Sequence, residues 1–343
     1  MTVVAGLDVG GAHLKIALVE AQRTIAVRQI ACPLWQGLDK LDTALAEARP
    51  LLAGAERVAI TMTGELSDLF ADRETGVATL VARLSEELHD KAWFWMGPRG
   101  FGTADTARAH HADVGSTNFL ATATLVGRTF QDALLIDFGS TTADIIPVKS
   151  GVPSPRGVTD AERQTTDELV YTGFTRTAVM GVASQAPFQG RWVGLAREYL
   201  ATMADVRRIL GANLDGIDLH ATADGKGKTL AESLARFGRM LGRDSHDGTL
   251  EDWRAAAAHI RELQIRSIQD GAARVLSAHG LPKDAPVIAA GIGAGDVGEV
   301  ARRLDRTCVR FGTLTNSDPA CEAWATACAP AVSVAHLLAS ELA

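Results

Sequence analysis

Long apolar runs, clustered cations and paired cysteines are all missing from this 343-residue chain. Without 18 consecutive uncharged apolar residues, no transmembrane helix is predicted. The N-terminus has no basic stretch followed by an apolar segment and a cleavage site, so a cytoplasmic location is expected. Lys and Arg are dispersed and the formal net charge is −7, which argues against nucleic acid and anionic membrane as partners. Cys32, Cys308, Cys321 and Cys328 form no CxxC pair. Reduced, buried thiols are expected rather than a zinc knuckle, and the spacing of Cys321 and Cys328 suits one face of a helix. No low-complexity linker interrupts the chain, so its parts should be tightly joined.

What is present is a globular composition, 47% hydrophobic and 22% charged, able to bury a large core. The length exceeds what one core usually serves, and two lobes are expected. Strands are predicted at 3–9 and 14–19, with a third near Thr24 to Ile30. A helix over 37–52 follows, with Leu38, Leu41, Leu45 and Ala48 on one face. A buried strand from Val58 to Met62, a helix over 76–89 and a strand in "AWFWMG" come next, and "TNFLATATLVGRTF" reads as a helix. Loops are expected at 150–157 and 181–194, then helices near 195–210, 229–241 and 248–279. The strand "APVIAAG", the loop "GIGAGD" and an alanine-rich helical tail interrupted by Pro330 complete the chain. The expected division is a first lobe over 1–130, a second over 131–316, and a segment 317–343 returning to the first.

One internal repeat stands out. The stretch from Asp8 to Val19, "DVGGAHLKIALV", aligns without a gap on Asp137 to Val148, "DFGSTTADIIPV", at an offset of 129 residues. Each copy is an apolar strand, an Asp-x-Gly-small turn and a second apolar strand. A single Asp-Gly turn is common. Two copies, with a glycine loop after a late apolar strand, suggest related halves facing one cleft. Glycine turns bring backbone N–H groups close to phosphate oxygens. Ser140, Thr141 and Thr142 add hydroxyl donors, and Lys15 adds a point charge. Asp8 and Asp137, at strand ends, can hold hydrated Mg2+.

Together these motifs resemble the acetate and sugar kinase/Hsp70/actin superfamily. "GLDVGGAHLK" looks like its first phosphate loop, "LIDFGSTTAD" its second and "VIAAGIGA" its adenosine-type motif, in the expected order. The resemblance implies a two-lobed α/β, actin-like ATPase (ribonuclease H-like) fold with duplicated phosphate-binding β-hairpins. Within it the chain resembles the hydantoinase/oxoprolinase group. Through "TMTGELSDLF", Gly76-Val77, "STNFLATA", "LLIDFGSTTADIIPV" and "ELVYTGFTRTAV" it is similar to the ether synthases of methanofuran assembly.

For that family the resemblance implies a transferase acting on two small molecules. An (aminomethyl)furanmethanol diphosphate loses diphosphate, and the phenol oxygen of a glutamylated tyramine or tyrosine takes its place. A homo-oligomer is left open. Diphosphate would be bound by Gly10, Gly11, His13, Lys15, Gly139, Ser140, Thr141, Thr142, Gly291 and Gly293, and Mg2+ by Asp8, Asp137 and Asp144. Catalytic roles fall to Asp8, Glu65 and Asp137, and substrate contacts to Thr63, Asn118, Tyr171, Thr172 and Arg176. Glu65 either deprotonates the phenol or grips the aminomethyl ammonium; a plain helix N-terminal carboxylate is the structural alternative.

Superfamily kinases carry Thr or Ser after the paired glycines, where this chain has Ala12 and His13. The glycine loop also lacks an obvious ribose or adenine contact set. A site that keeps diphosphate recognition and abandons ATP is therefore expected. The alternatives are an ATP-dependent small-molecule kinase and a hydantoinase/oxoprolinase-like hydrolase. Other motifs are set aside. "GIGAG" should lack a full βαβ unit after it. "GKGKT" has Thr222 where a P-loop needs its first glycine. His110-His111 reads as a solvated loop pair.

Overall fold

The computed structural model describes residues 2–342. Its first sheet grows from the repeat's first copy. β1 (Val3–Val9) and β2 (His13–Glu20) form an antiparallel hairpin, extended by β3 (Arg23–Ala31). On the other side of β1, β4 (Arg57–Met62) and β5 (Ala92–Trp95) add in parallel and β6 (Phe101–Gly102) ends the edge. The order is β3-β2-β1-β4-β5-β6.

The second sheet repeats that plan. β7 (Ala133–Phe138) and β8 (Ala143–Lys149) form its hairpin, flanked by β9 (Val152–Pro153) and β10 (Leu169–Val170). A separate hairpin, β11 (Gln185–Phe188) and β12 (Arg191–Gly194), follows. β13 (Val287–Ala290) and β14 (Cys308–Arg310) then add in parallel beside β7, giving β10-β8-β7-β13-β14. Asp8 pairs across its hairpin with Lys15, and Asp137 with Asp144, so the 129-residue offset is also a structural repeat. This duplicated, two-lobed α/β arrangement is the actin-like ATPase (ribonuclease H-like) fold.

Because both faces of each sheet are covered, alternate side chains serve different cores. In β4, Val58, Ile60 and Met62 face the first lobe's outer core, while Ala59 faces the core between the sheets. In β7, Leu134 and Ile136 join the second lobe's outer core and Ala133 and Leu135 the shared one. The shared core contains two helices, Asn118–Gly127 and Ala329–Glu341. The latter lies on β1, β2 and β4. Gly6 permits that approach: a Cβ there would stand 1.9 Å from the Ala331 carbonyl oxygen.

Several expectations need correction. The helix expected near 195–210 spans only Met203–Ile209. The 181–194 loop contains β11 and β12, joined through Gln189 and Gly190 in the left-handed region (φ 48° and 72°). After β13, the helix Ala294–Arg303 and β14 do complete a βαβ unit. Cys321 and Cys328 do not share a helix face, because the helix Glu322–Ala327 ends before Cys328 and a second begins at Ala329. The four thiols are free, but Cys308 is exposed and Cys321 only partly covered. His110 and His111 stand where the short helices Ala104–Ala109 and His111–Val114 meet. Among the described residues no helix is long and apolar enough to cross a membrane.

Candidate functional site

The two hairpin turns face a cleft of about 390 Å³. They close identically. The Gly10 N–H donates to the His13 carbonyl at 3.0 Å, and the Gly139 N–H to the Thr142 carbonyl at 2.9 Å. The turn carbonyls are held from behind. Those of Ala12 and Gly11 accept from the N–H groups of Cys32 and Leu34, and those of Gly139 and Ser140 from Phe174 and Arg176. Among the described residues the N–H groups of Gly11, Ala12, Ser140 and Thr141 have no backbone partner, and all four residues line the cleft. Successive free amides of this kind form a concavity for anions. Gly173 supports the second turn so closely that a Cβ would stand 2.1 Å from the Ser140 oxygen.

The cleft floor is charged. Lys15 Nζ donates to Asp8 Oδ2 at 3.2 Å. Burial works against the Lys15 charge, but Asp8 and Asp137 outweigh it and keep the ammonium protonated. Among the described residues Asp137 has no hydrogen-bond or ion-pair partner; burial pushes its carboxyl up to about 7, against the pull of Lys15 and with the push of Asp144 and Asp8. Asp144 is bonded to Arg163, which also holds Asp160 at 3.1 Å and lies 3.9 Å over the Phe119 ring. The expected joint Mg2+ set of Asp8, Asp137 and Asp144 is therefore not assembled: strand register puts Lys15 on Asp8, and Arg163 takes Asp144. Among the described residues no three His, Cys, Asp or Glu side chains converge as a metal site. Of the three aspartates, Asp137 alone makes no ion pair among the described residues.

Aromatic groups form the rim. The His13 ring packs 4.6 Å from His220, which packs 5.3 Å from Trp35. Arg176 lies 4.7 Å over Trp35 and donates from Nη1 to Thr141 Oγ1 at 3.2 Å, tying the second turn to the first lobe. Burial, His220 and Lys15 hold His13 well below the usual imidazole range. Burial and then Arg176 bring His220 down to about 4. Both rings are neutral at neutral pH, and His13 Nε2 is buried without a partner. Trp35 and His220 were not among the expected residues. Thr63, Asn118 and Tyr171 line the same cleft; Asn118 Oδ1 accepts the N–H of Phe119 at 2.9 Å.

Three expected groups sit elsewhere. Thr172 is buried, its hydroxyl accepting from Gln264 Nε2 at 2.9 Å. The Gly291 and Gly293 amides are consumed by the carbonyls of Thr326 and Phe138, so they are not diphosphate donors. These glycines instead form the wall behind the second turn; a Cβ on Gly291 would stand 2.4 Å from Asp137 Oδ1. Glu65, 1% exposed, lies behind the cleft wall rather than in it. Ser116 lines the cleft and donates to Glu65 Oε1 at 2.6 Å. Two glycines make room for this residue: a Cβ on Gly115 would stand 3.0 Å from Oε1, and one on Gly76 2.6 Å from the Glu65 carbonyl oxygen.

Burial pushes the Glu65 carboxyl up to about 7, against the Ser116 hydrogen bond and Arg73. A raised folded-state value means stability is lost as pH rises from the ordinary carboxylate range, about 4.3, through about 7. Glu65→Gln should therefore be more stable than the parent at pH 8, on the order of 1–3 kcal/mol, and indistinguishable from it near pH 4. Denaturant melts at the two pH values check this; a variant less stable at pH 8 contradicts it.

A sequence profile of the hydantoinase/oxoprolinase family matches residues 56–335. The chain is 31% identical over 242 residues to the (4-{4-[2-(gamma-L-glutamylamino)ethyl]phenoxymethyl}furan-2-yl)methanamine synthase of Methanocaldococcus jannaschii, covering 70% of this chain and 72% of that one. The protein of the same name from Methanococcus vannielii is 28% identical over 151 residues, 44% of this chain and 68% of its own. Among solved structures, nucleotide-free acetone carboxylase matches with a TM-score of 0.55 over 88% of this chain and 67% of that one. At 11% identity that is a likeness of fold alone. The profile takes in the whole second sheet and, of the first, β4 to β6, leaving the first hairpin outside it, and the chain belongs to the hydantoinase/oxoprolinase family.

Proposed function

We propose that the chain is a transferase of methanofuran assembly, joining an (aminomethyl)furanmethanol diphosphate to the phenol of a glutamylated tyramine or tyrosine. The relatives are named for a product with a phenoxymethyl link between phenol and furan. Forming that link breaks the bond between the furan methylene and diphosphate, whose oxygen keeps the electron pair. The phenol oxygen bonds to the methylene and its proton leaves to a base. Since the furan stabilises a positive methylene carbon, the protein's main task is to stabilise departing diphosphate.

The observation that carries this reading is the pair of turns presenting free amides, with Lys15, to one cleft. Such preorganised donors are usually the largest catalytic term. A hydrated Mg2+ arriving with the diphosphate would be held at Asp137 and would neutralise charge on the leaving group. Trp35, Leu66 and Tyr171, 40%, 42% and 63% exposed, all line the cleft and suit two aromatic rings. Arg176 supplies a cation for a glutamyl carboxylate. The second reading, an ATP-dependent kinase or lactam hydrolase, is favoured by a separate cavity of about 370 Å³ beside Gly291, Ile292 and Trp324.

Calorimetry with Mg2+ and pyrophosphate, ADP or ATP, followed by an ATPase assay, separates the two. Pyrophosphate should bind and stabilise the fold, by about 2.7 kcal/mol at a hundredfold excess over Kd. With His13 where kinases have a hydroxyl, ATP should give little turnover. Acceptor-stimulated ATP hydrolysis would replace the first reading with the second.

A further inference from the structure

The phenol must lose a proton as its oxygen attacks, yet the buried carboxylate expected to take it does not reach the cleft. Glu65 is covered, and its Oε2 has no hydrogen-bond partner among the described residues. Between it and the cleft stands Ser116, whose Oγ donates to Oε1 at 2.6 Å. Ser116 is held in an unusual conformation. Its φ is 55°, in the left-handed region, and its N–H donates to the Met62 carbonyl at 3.2 Å. A non-glycine residue held there costs on the order of 1–3 kcal/mol and is concentrated at functional sites. Gly115 packs against the carboxyl and Gly76 against the Glu65 backbone and Cβ.

We infer that Ser116 receives the phenol proton at Oγ while passing its own hydroxyl proton to Glu65 Oε1. The inference rests on the transferase reading above. The proton account closes. Phenol loses H+ to Ser116, Ser116 stays neutral, and Glu65 ends as the acid that later releases the proton to water. No bond to carbon forms on the protein. The relay makes Ser116 the catalytic residue at this wall and Glu65 the positioning carboxylate behind it. Glu65 is suited to the part because burial leaves its carboxyl poised near neutrality, with Arg73 and Asp160 the charged groups that reach it. Arg73 and Asp160 themselves face each other across the lobes at 3.7 Å.

The test compares Ser116→Ala and Glu65→Gln with the parent, using the furanmethanol diphosphate and phenolic acceptors of graded acidity obtained by ring fluorination. Diphosphate release is followed from pH 5.5 to 9.5. The parent should rise through about pH 7 and then level. Both variants should lose about 10²- to 10⁴-fold in kcat, the range of general base catalysis, with KM for the diphosphate unchanged. Their rates should keep rising toward the pKa of the phenol, about 10, and should recover with the acidic fluorophenols, which need no base. A Ser116→Ala enzyme as fast as the parent overturns the inference. So does a loss that neither high pH nor an acidic phenol relieves, since misfolding or misplacement would behave that way. A parent that releases no diphosphate with any phenol overturns the transferase reading itself, and the relay with it.

Discussion

Replacing Lys15 with alanine should lower turnover by about a hundred- to a thousandfold, the effect of removing one strong preorganised electrostatic contact. It should also destabilise the fold by about 3–5 kcal/mol, because a buried carboxylate loses its ion-pair partner. Both effects come from one position in the first hairpin. The register of β1 on β2 sets Lys15 directly across from Asp8, and the facing hairpin brings Asp137 near the same ammonium. Without Lys15, Asp8 and Asp137 face each other as two acids in the cleft floor. The double variant Asp8→Asn with Lys15→Met removes the uncompensated charge and should regain much of the stability but none of the turnover. Denaturant melts and diphosphate release measure the two separately. A Lys15→Ala enzyme with parental turnover would remove the hairpins from the chemistry.

Gly173→Ala should be nearly as damaging by another route. The added methyl would stand 2.1 Å from the Ser140 carbonyl oxygen and 2.4 Å from the Thr141 Cα. Both atoms belong to the second turn, so the turn itself must move. Overpacking of this kind costs about 1–3 kcal/mol, and a displacement near 1 Å costs about 10²-fold in rate. Affinity for pyrophosphate should fall in parallel. Gly11→Ala offers the contrast, since its Cβ would meet nothing within 4 Å; it should melt within about 0.5 kcal/mol of the parent, the usual range for an uncrowded position. Equal pyrophosphate affinity in the parent and Gly173→Ala would show that the second turn does not hold the ligand.

The contrast between these positions shows what could be read along the chain. The hairpins were visible because their information is local. Asp, Gly, Gly and the alternating apolar residues recur at one offset, and strand register then fixes which charges face each other. Thr63, Asn118, Tyr171 and Arg176 came from the family resemblance instead, and all four line the cleft. Position in space is less local. Glu65 follows β4 in the short turn Gly64–Leu66, but Gly76 and Gly115, which pack against it, come from two later segments. Ser116 carries no signal beyond an ordinary serine, since its left-handed backbone is imposed by its contact with β4. His220 meets His13 and Trp35 from about 200 residues further along the chain, beyond any periodicity argument. β14, three residues with one apolar side chain at its centre, was too short to show that a βαβ unit follows β13. The β11–β12 turn could have been found, because Gln189-Gly190 sits between two short apolar stretches.

The most direct test of the account is a nucleotide-free reaction. The chain is incubated with the (aminomethyl)furanmethanol diphosphate, a glutamylated tyramine and Mg2+, and both products are quantified, the ether by mass spectrometry and the diphosphate enzymatically. The account predicts ether and diphosphate in equal amounts, with no dependence on added ATP. Absence of ether without ATP, with acceptor-dependent ADP formation once ATP is supplied, would contradict it.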